Sequence, residues 1–455
     1  MAGSDSVTTV APGRHSGLRF ILPSLAGFLV FLTPIPWQGE LTIGIGIITG
    51  WIKALMGDYG LLLVVTLITL ASVLTFAGTL LQLRWIERSP LLRELFTVSP
   101  VWMVLRACGA LFGLAYCCQV GPAVLISEEI GGAVYVDIGV NVLSVYIAAC
   151  LFLPLLTDFG FMEFAGTLAR PVFSRVFRLP GRAAIDATAS FVGASAIGLL
   201  ITIRQYDQGF YTAREASVIA TNFSIVSIPF SLVIANVAGI GHLFITWYAC
   251  VVVACLLAAL ITPRLPPLSR QANNYVSGGE AGAGETQTPT NSLLAEAMTR
   301  ARDRAASSPD VVRFLQSVLS SMMFFVFSVM GAALALATVA ALITFHTPLM
   351  SWLGTPFVYL LELASFPEAN KATAGLFSGY LDQFMPALVA SSIDSTKTSF
   401  VLAGLSVCQL IFMSECGVII LRSSLPLRVR DLTLIFLLRT LITLPVLMAG
   451  ALVIA

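Results

Sequence analysis

Of the chain's 455 residues, 57% are hydrophobic and only 11% charged, with a mean hydropathy of +0.91; soluble domains carry about 25% charged residues. This balance excludes a soluble globular enzyme, and a net charge of +1 offers no electrostatic platform for nucleic acid. Apolar runs follow one another with few interruptions, so the sequence predicts one all-α polytopic membrane body.

The first apolar run, 18–36, follows Arg14 and Arg19 as a signal peptide would. It contains Pro23, Pro34 and Pro36 and no A-x-A cleavage site, so it is expected to remain as the first span. At its outer end Trp37, Gln38 and Glu40 read as boundary anchors. Further runs of the roughly 20 apolar residues that a bilayer core requires fall at 59–81, 99–117, 136–157, 213–237, 242–262, 312–345, 396–421 and 432–454. With the first run they make about nine spanning helices. The stretches 41–57, 160–178, 183–203, 349–362 and 370–391 are too short, too polar or too glycine-rich for ordinary crossings. They are predicted to be interfacial or re-entrant, which membrane depth tolerates only where protein or water surrounds the backbone. The loop with Glu128 and Glu129 reads as solvated, and Arg106, inside the third run, as a snorkelling side chain.

Cytoplasmic loops collect lysine and arginine. With the N-terminus inside, the inside segments take nearly all the arginines and the outside segments only Lys53, Lys371 and Lys397. The chain is therefore expected to lie N-in and C-out, with 183–203 dipping from the cytoplasm and 370–391 from outside. Five elements then recur in order with opposite orientation: a span, an interfacial helix, a re-entrant hairpin and two spans. The division is an N-terminal membrane segment 1–135, a first repeat 136–262, a cytoplasmic linker 263–311 and a second repeat 312–455. The linker is rich in Pro, Gly, Ser and Thr and reads as a solvated tether. Its last part, 292–306, is a candidate amphipathic helix with Leu293, Leu294 and Met298 on one face, open to a regulatory or partner-binding role.

Polar groups in hydrocarbon need a partner, a ligand or water, so their clusters are the candidate site. The first hairpin, AAIDATASFVGASAIGLLIT, holds Asp186, Thr188, Ser190, Gly193 and Ser195; the span after it holds Thr221, Asn222, Ser224 and Ser227 before Pro229. The second hairpin holds Ser378, Gly379, Tyr380, Asp382, Gln383 and Pro386, and its span Ser406, Gln409, Ser414 and Glu415. Glu415 can hold a sodium ion, exchange a proton or bond a polar substrate; its structural alternatives are an ion pair with Arg439 and contact with water near the cytoplasmic end. The serines and Asn222 can equally serve as helix-to-helix contacts. The eight cysteines lie in or beside apolar segments without metal-type spacing and read as free and buried, while His15, His242 and His346 are far apart. Neither a metal site nor a cofactor is expected, and nucleotide-hydrolysis, zinc-protease, serine-hydrolase and dinucleotide motifs are missing.

The stretch DATASFVGASAIGLLITIRQYDQGFYTAREASVIATNFSIVSIPF, Asp186 to Phe230, resembles the Gate, or nucleoside-recognition, domain shared by concentrative nucleoside transporters, ferrous iron transport protein B and the spore maturation membrane proteins. With FLTPIPWQGELTIGIGI near the start and LSVCQLIFMSECGVIILRSSLPLRVRDLTLIFLLRTLITLP near the end, nearly the whole chain is similar to the bacterial YjiH-type membrane proteins. The nucleoside-transporter likeness implies that the two hairpins and the spans after them enclose the substrate, with Ser195, Asn222, Gln383 and Glu415 at the matching positions. The clear Gly-Gln-Thr hairpin signature of a nucleoside carrier is missing here.

The combined reading is a bacterial inner-membrane secondary transporter, not an enzyme, that moves a small polar solute, a nucleoside being the leading candidate. Sodium or a proton is the candidate coupling ion. Ser195, Asn222, Gln383, Gln409 and Glu415 are the substrate candidates, and Asp382 and Glu415 the ion candidates. A Gate-domain subunit that binds a membrane partner or a second copy, and a metal-ion permease, remain alternatives.

Overall fold

A computed structural model describes residues 16–37, 40–192, 195–276 and 292–454. Almost every described element is a helix; the exception is a short antiparallel β-hairpin of Pro34–Trp37 with Glu40–Ile43. Among the described residues, six helices are long and apolar enough to cross a membrane: Gly44–Thr79, Pro100–Cys118, Glu128–Thr157, Gly241–Arg264, Val311–His346 and Val429–Ile454. Four shorter apolar helices, Gly17–Phe31, Ile228–Val237, Leu349–Leu363 and Thr396–Cys408, accompany them. The chain is an all-α membrane protein.

The nine uninterrupted spans give way to this mixture because hydropathy registers apolar length and not backbone hydrogen bonding. The runs 213–237 and 396–421 are each broken in two. Ala213–Asn222 stops and Ile228–Val237 begins after a gap, as does Thr396–Cys408 before Cys416–Arg422. Pro229 accounts for the first gap: it has no N–H, and its ring would clash with the carbonyl four residues earlier. In the opposite direction, 41–57 and 59–81 merge into one helical run, interrupted at Gly57, whose φ of +47° is open to glycine.

Each broken helix follows a pair of short helices packed together, Ala183–Val192 with Ser195–Asp207 and Ala369–Ser378 with Met385–Ser391. Each is followed by a long helix, Phe244–Ile261 or Val429–Ile454, and these two long helices pack on each other. Small residues set that contact. A Cβ on Gly450 would lie 2.4 Å from Cys250 Sγ; likewise, where Thr396–Cys408 packs on Val429–Ile454, one on Gly404 would lie 2.5 Å from Leu447. Trp247, fully buried, donates its indole N–H to the Phe400 carbonyl at 3.1 Å.

Arg106 does not snorkel. It is 3% exposed and donates to the Leu95 carbonyl (2.8 Å), Thr75 Oγ1 (2.7 Å) and the Ser328 carbonyl (3.1 Å). Ser328 lies in a π-helical turn, Phe325–Met330, where widened winding frees a carbonyl that an α-helix would occupy. Beside it Pro100–Cys118 crosses Gly331–His346 at a glycine contact, where a Cβ on Gly109 would stand 2.0 Å from the Gly331 carbonyl oxygen.

The end of the linker is also more than a tether. Leu293–Ala306 is a helix whose buried stripe is Ala297, Ala301 and Ala305, each 0% exposed, while Leu294 stays exposed. Alanine wins over leucine because the contact is close: a Cβ on Gly160 would lie 2.3 Å from the Ala301 carbonyl oxygen. The stripe meets Phe20 and Phe164. Glu296 takes a forked pair of bonds from Arg170 (2.8 and 3.3 Å) and a contact from Arg300 (3.0 Å), while Arg304 faces Asp158 and Glu163.

Two tests follow from these contacts. Gly109→Ala is expected to lower stability by about 1–3 kcal/mol through overpacking, read as a lower unfolding temperature in detergent. Gly50→Ala, whose Cβ meets nothing within 4 Å, should leave it unchanged or raise it. Hydrogen bonding from Arg170 holds the Glu296 carboxyl below its ordinary pKa. Its contribution to docking is therefore full above the unfolded carboxylate value of about 4.3 and lost as pH falls through the folded one. Amide exchange in 293–306 should accelerate on acidification through that window, and Glu296→Gln should remove the pH dependence.

Candidate functional site

The two breaks meet at consecutive residues of the last long helix. Asn222, the final residue of its half-helix, and Cys408, the final residue of the other, both bond Arg439, which is 0% exposed. Nη1 donates to Asn222 Oδ1 at 2.8 Å and Nε to the Cys408 carbonyl at 2.9 Å. Nη2 lies 3.9 Å from Cys255 Sγ. Thr262 donates to the same Asn222 oxygen at 2.5 Å, and Asn222 Nδ2 faces the Val218 carbonyl and Thr221 Oγ1. No carboxylate is within ion-pair distance of Arg439 among the described residues. The Glu415–Arg439 pair, one of the structural alternatives for Glu415, is not formed. The charge sits instead at two helix C-termini, each carrying a partial negative charge of about half a unit.

The next residue, Thr440, holds the second break. Gln409 Nε2 donates to Thr440 Oγ1 (3.1 Å) and to the Leu376 carbonyl (2.9 Å). Its Oε1 is buried with no partner among the described residues, as is Gln383 Nε2. Gly379 leaves room for that amide: a Cβ there would lie 2.0 Å from Gln409 Oε1. After Gln409, Leu410 takes φ +57°, a left-handed conformation that costs a bulky residue about 1–3 kcal/mol. Met413 N–H then bonds the Tyr380 carbonyl (2.9 Å) and Ser414 N–H the Leu381 carbonyl (3.1 Å). The turn of the second helix pair is thus stitched to the unwound segment, and Ser406 Oγ accepts the Ala387 N–H at 3.1 Å.

Asp382 is 8% exposed and accepts the Phe384 N–H at 2.9 Å. Ser414 is a second hydrogen-bond partner, and Glu415 lies within electrostatic reach. Glu415 itself is exposed while its chain neighbours Phe412 and Cys416, and Asp382 facing it, are buried. The structure thus gathers Gln409, Asp382 and Glu415 around one contact and ties Asn222 to it through Arg439–Thr440. The Ser195 side chain and residues Gly193 and Ala194 lie outside the described residues. In the first pair, Asp186 is buried and accepts the Tyr211 hydroxyl at 2.7 Å. Sequence reading placed Arg439 only as a partner for Glu415; two amides at matching helix ends were the signal for the bridge it forms. A separate cleft of about 160 Å³ lies between the end of the first broken helix, Val237–Ile240, and Ser391, Asp394 and Ser399; no candidate residue lines it.

Residues 140–241, which hold the first pair and first break, match the family model described as nucleoside recognition, the Gate domain. The chain is 41% identical over 429 residues to an uncharacterized protein of Alkalihalophilus pseudofirmus, an alignment that covers 94% of this chain and 93% of that one. The chain belongs to that protein's family, whose member here is a transporter-like membrane protein with a Gate domain. No solved structure matches it.

Removing the Asn222 acceptor strands a buried charge. Asn222→Leu is expected to cost about 3 kcal/mol, read as a lowered unfolding temperature, with Asn222→Asp milder because it retains an acceptor oxygen for Arg439.

Proposed function

We propose that the chain is a secondary transporter that moves a small polar solute across the bacterial inner membrane by alternating access. The observation that carries this reading is the pair of helix breaks, each at an amide side chain, joined through Arg439 and Thr440. Broken helices present unpaired backbone groups to a ligand within the membrane, and two similar halves of opposite orientation can exchange conformations to expose one site to each side in turn. In this reading the two short pairs are re-entrant, the first from the cytoplasm and the second from outside, and the N-terminus is cytoplasmic.

The solute occupies the region of Ser195, Gln383, Gln409 and Glu415. Among the described residues Gln383 offers an unpaired donor and Gln409 an unpaired acceptor, and burying either without a partner is costly. A solute with a planar donor–acceptor edge satisfies both, and the nucleoside-recognition description of residues 140–241 makes a nucleoside the first candidate. Asn222 is fully engaged inside the protein in this state, so it contacts solute only once Arg439 has released it. Asp382 and Glu415 take the coupling proton or sodium ion. Coupling requires that solute and ion together stabilise the occluded state more than either does alone.

Thermal unfolding of the purified protein against nucleosides, nucleobases, organic acids and divalent metals, with and without sodium or at varied pH, tests the reading, because a ligand of the folded state raises stability. Stabilisation by one solute class, enhanced by the ion and followed by uptake into proteoliposomes, is expected. Glu415→Gln should abolish the ion's effect while the protein stays folded and monodisperse. Silence across the panel together with a co-purifying stoichiometric membrane protein favours a partner-binding subunit instead.

A further inference from the structure

Cys255 and Cys408 stand outside the proposed solute and ion sites, yet they face each other where the two halves of the chain meet. Cys255 lies in Phe244–Ile261, the long helix after the first break, and Cys408 ends the half-helix before the second. Their sulfurs are 3.7 Å apart and both residues are 0% exposed. Beside them lie the Val251 carbonyl, 3.8 Å from Cys408 Sγ, and the Arg439 guanidinium, 3.9 Å from Cys255 Sγ.

We propose that Cys255 and Cys408 form a redox modification site whose oxidation by a peroxide joins the two halves through a disulfide and arrests their relative movement. Cys255 Sγ attacks one oxygen of hydrogen peroxide; the O–O bond breaks and the departing hydroxide leaves as water with the thiol proton, which gives a sulfenic acid. Cys408 Sγ then attacks that sulfur; the S–S bond forms, the S–O bond breaks, and a second water leaves with the Cys408 proton. One peroxide is reduced to two waters and two thiols are oxidised to one disulfide. The guanidinium facing Cys255 stabilises negative charge that builds on sulfur during the attack. A peroxide is small and uncharged, as passage to a buried, largely apolar contact requires. A disulfide sets its sulfurs about 2.05 Å apart, so the pair closes by side-chain rotation and a small approach of two helices already packed together.

The existence of the site is independent of the transport reading; the arrest of uptake rests on it, and the experiment separates the two. Full-length protein in detergent is treated with hydrogen peroxide, unfolded, alkylated with N-ethylmaleimide and digested with trypsin. The expected product links peptide 215–264 to peptide 398–422, with fragment ions on Cys255 and Cys408. Two sulfurs per chain are lost to alkylation and regained after dithiothreitol, and the oxidised protein unfolds at a higher temperature. The link should be absent in Cys255→Ala and in Cys408→Ala and present in Cys250→Ala. Full alkylation of wild-type protein after peroxide, or a link that survives Cys255→Ala, overturns the site without any variant having to be active. In proteoliposomes, uptake of any solute that the protein carries should be lost on oxidation and restored by dithiothreitol; unchanged uptake by cross-linked protein overturns the arrest.

Discussion

The structure depends on how one buried positive charge is accommodated. Taking a guanidinium out of water costs several kcal/mol even after relaxation, and Arg439 meets no carboxylate that would offset this among the described residues. It is offset by geometry. Two helices end where the arginine reaches: one gives it the Cys408 carbonyl and the other the Asn222 side-chain oxygen, each at the helix's final residue, where the helix dipole is negative. Straightening either helix would withdraw that partial charge. The arginine and the two breaks therefore sustain one another, and the long helix that carries it fixes where both half-helices stop.

The breaks themselves are made by different means. In the first, Pro229 removes a donor, so the chain leaves the helix for a covalent reason. In the second there is no proline. Leu410 is held in a left-handed conformation, and the backbone hydrogen bonds lost by unwinding are replaced by the Tyr380 and Leu381 carbonyls of the preceding pair. The second break is thus conditional on the helix pair staying in place. A movement of that pair takes with it the bonds that keep Gln409, Ser414 and Glu415 out of a helix.

Much of this was legible in the sequence, though not at equal depth. Composition and apolar runs give the membrane body, and residues Asp186 to Phe230 the Gate domain. Glycine and polar clusters mark where the short pairs lie, and Asn222, Gln409 and Glu415 stand out because polar groups in apolar runs are costly. Breaks inside runs as apolar as FSIVS or LIFM were not legible, since hydropathy does not register backbone pairing. Arg106 read as a lipid-boundary residue because the carbonyls that receive it come from Leu95 and Ser328, far apart in sequence. The linker helix misled for a related reason: its leucines suggest the buried face, but at the close approach to Gly160 the buried positions are alanines, with Met298 packed beside them.

That docked helix also limits how the molecule can work. With 293–306 held against Phe161–Val172 and Ser16–Phe31, only residues 307–310 separate it from Val311, where the next long helical run begins. Five Cα steps reach at most about 18 Å when fully extended, so the docked helix and Val311–His346 are joined by a short leash and not by the long flexible chain that the linker's composition suggests. In the proposed alternating-access cycle, movement across this junction has a mechanical stop at that distance, and any larger excursion must first peel the helix from its seat beneath Phe20 and Phe164.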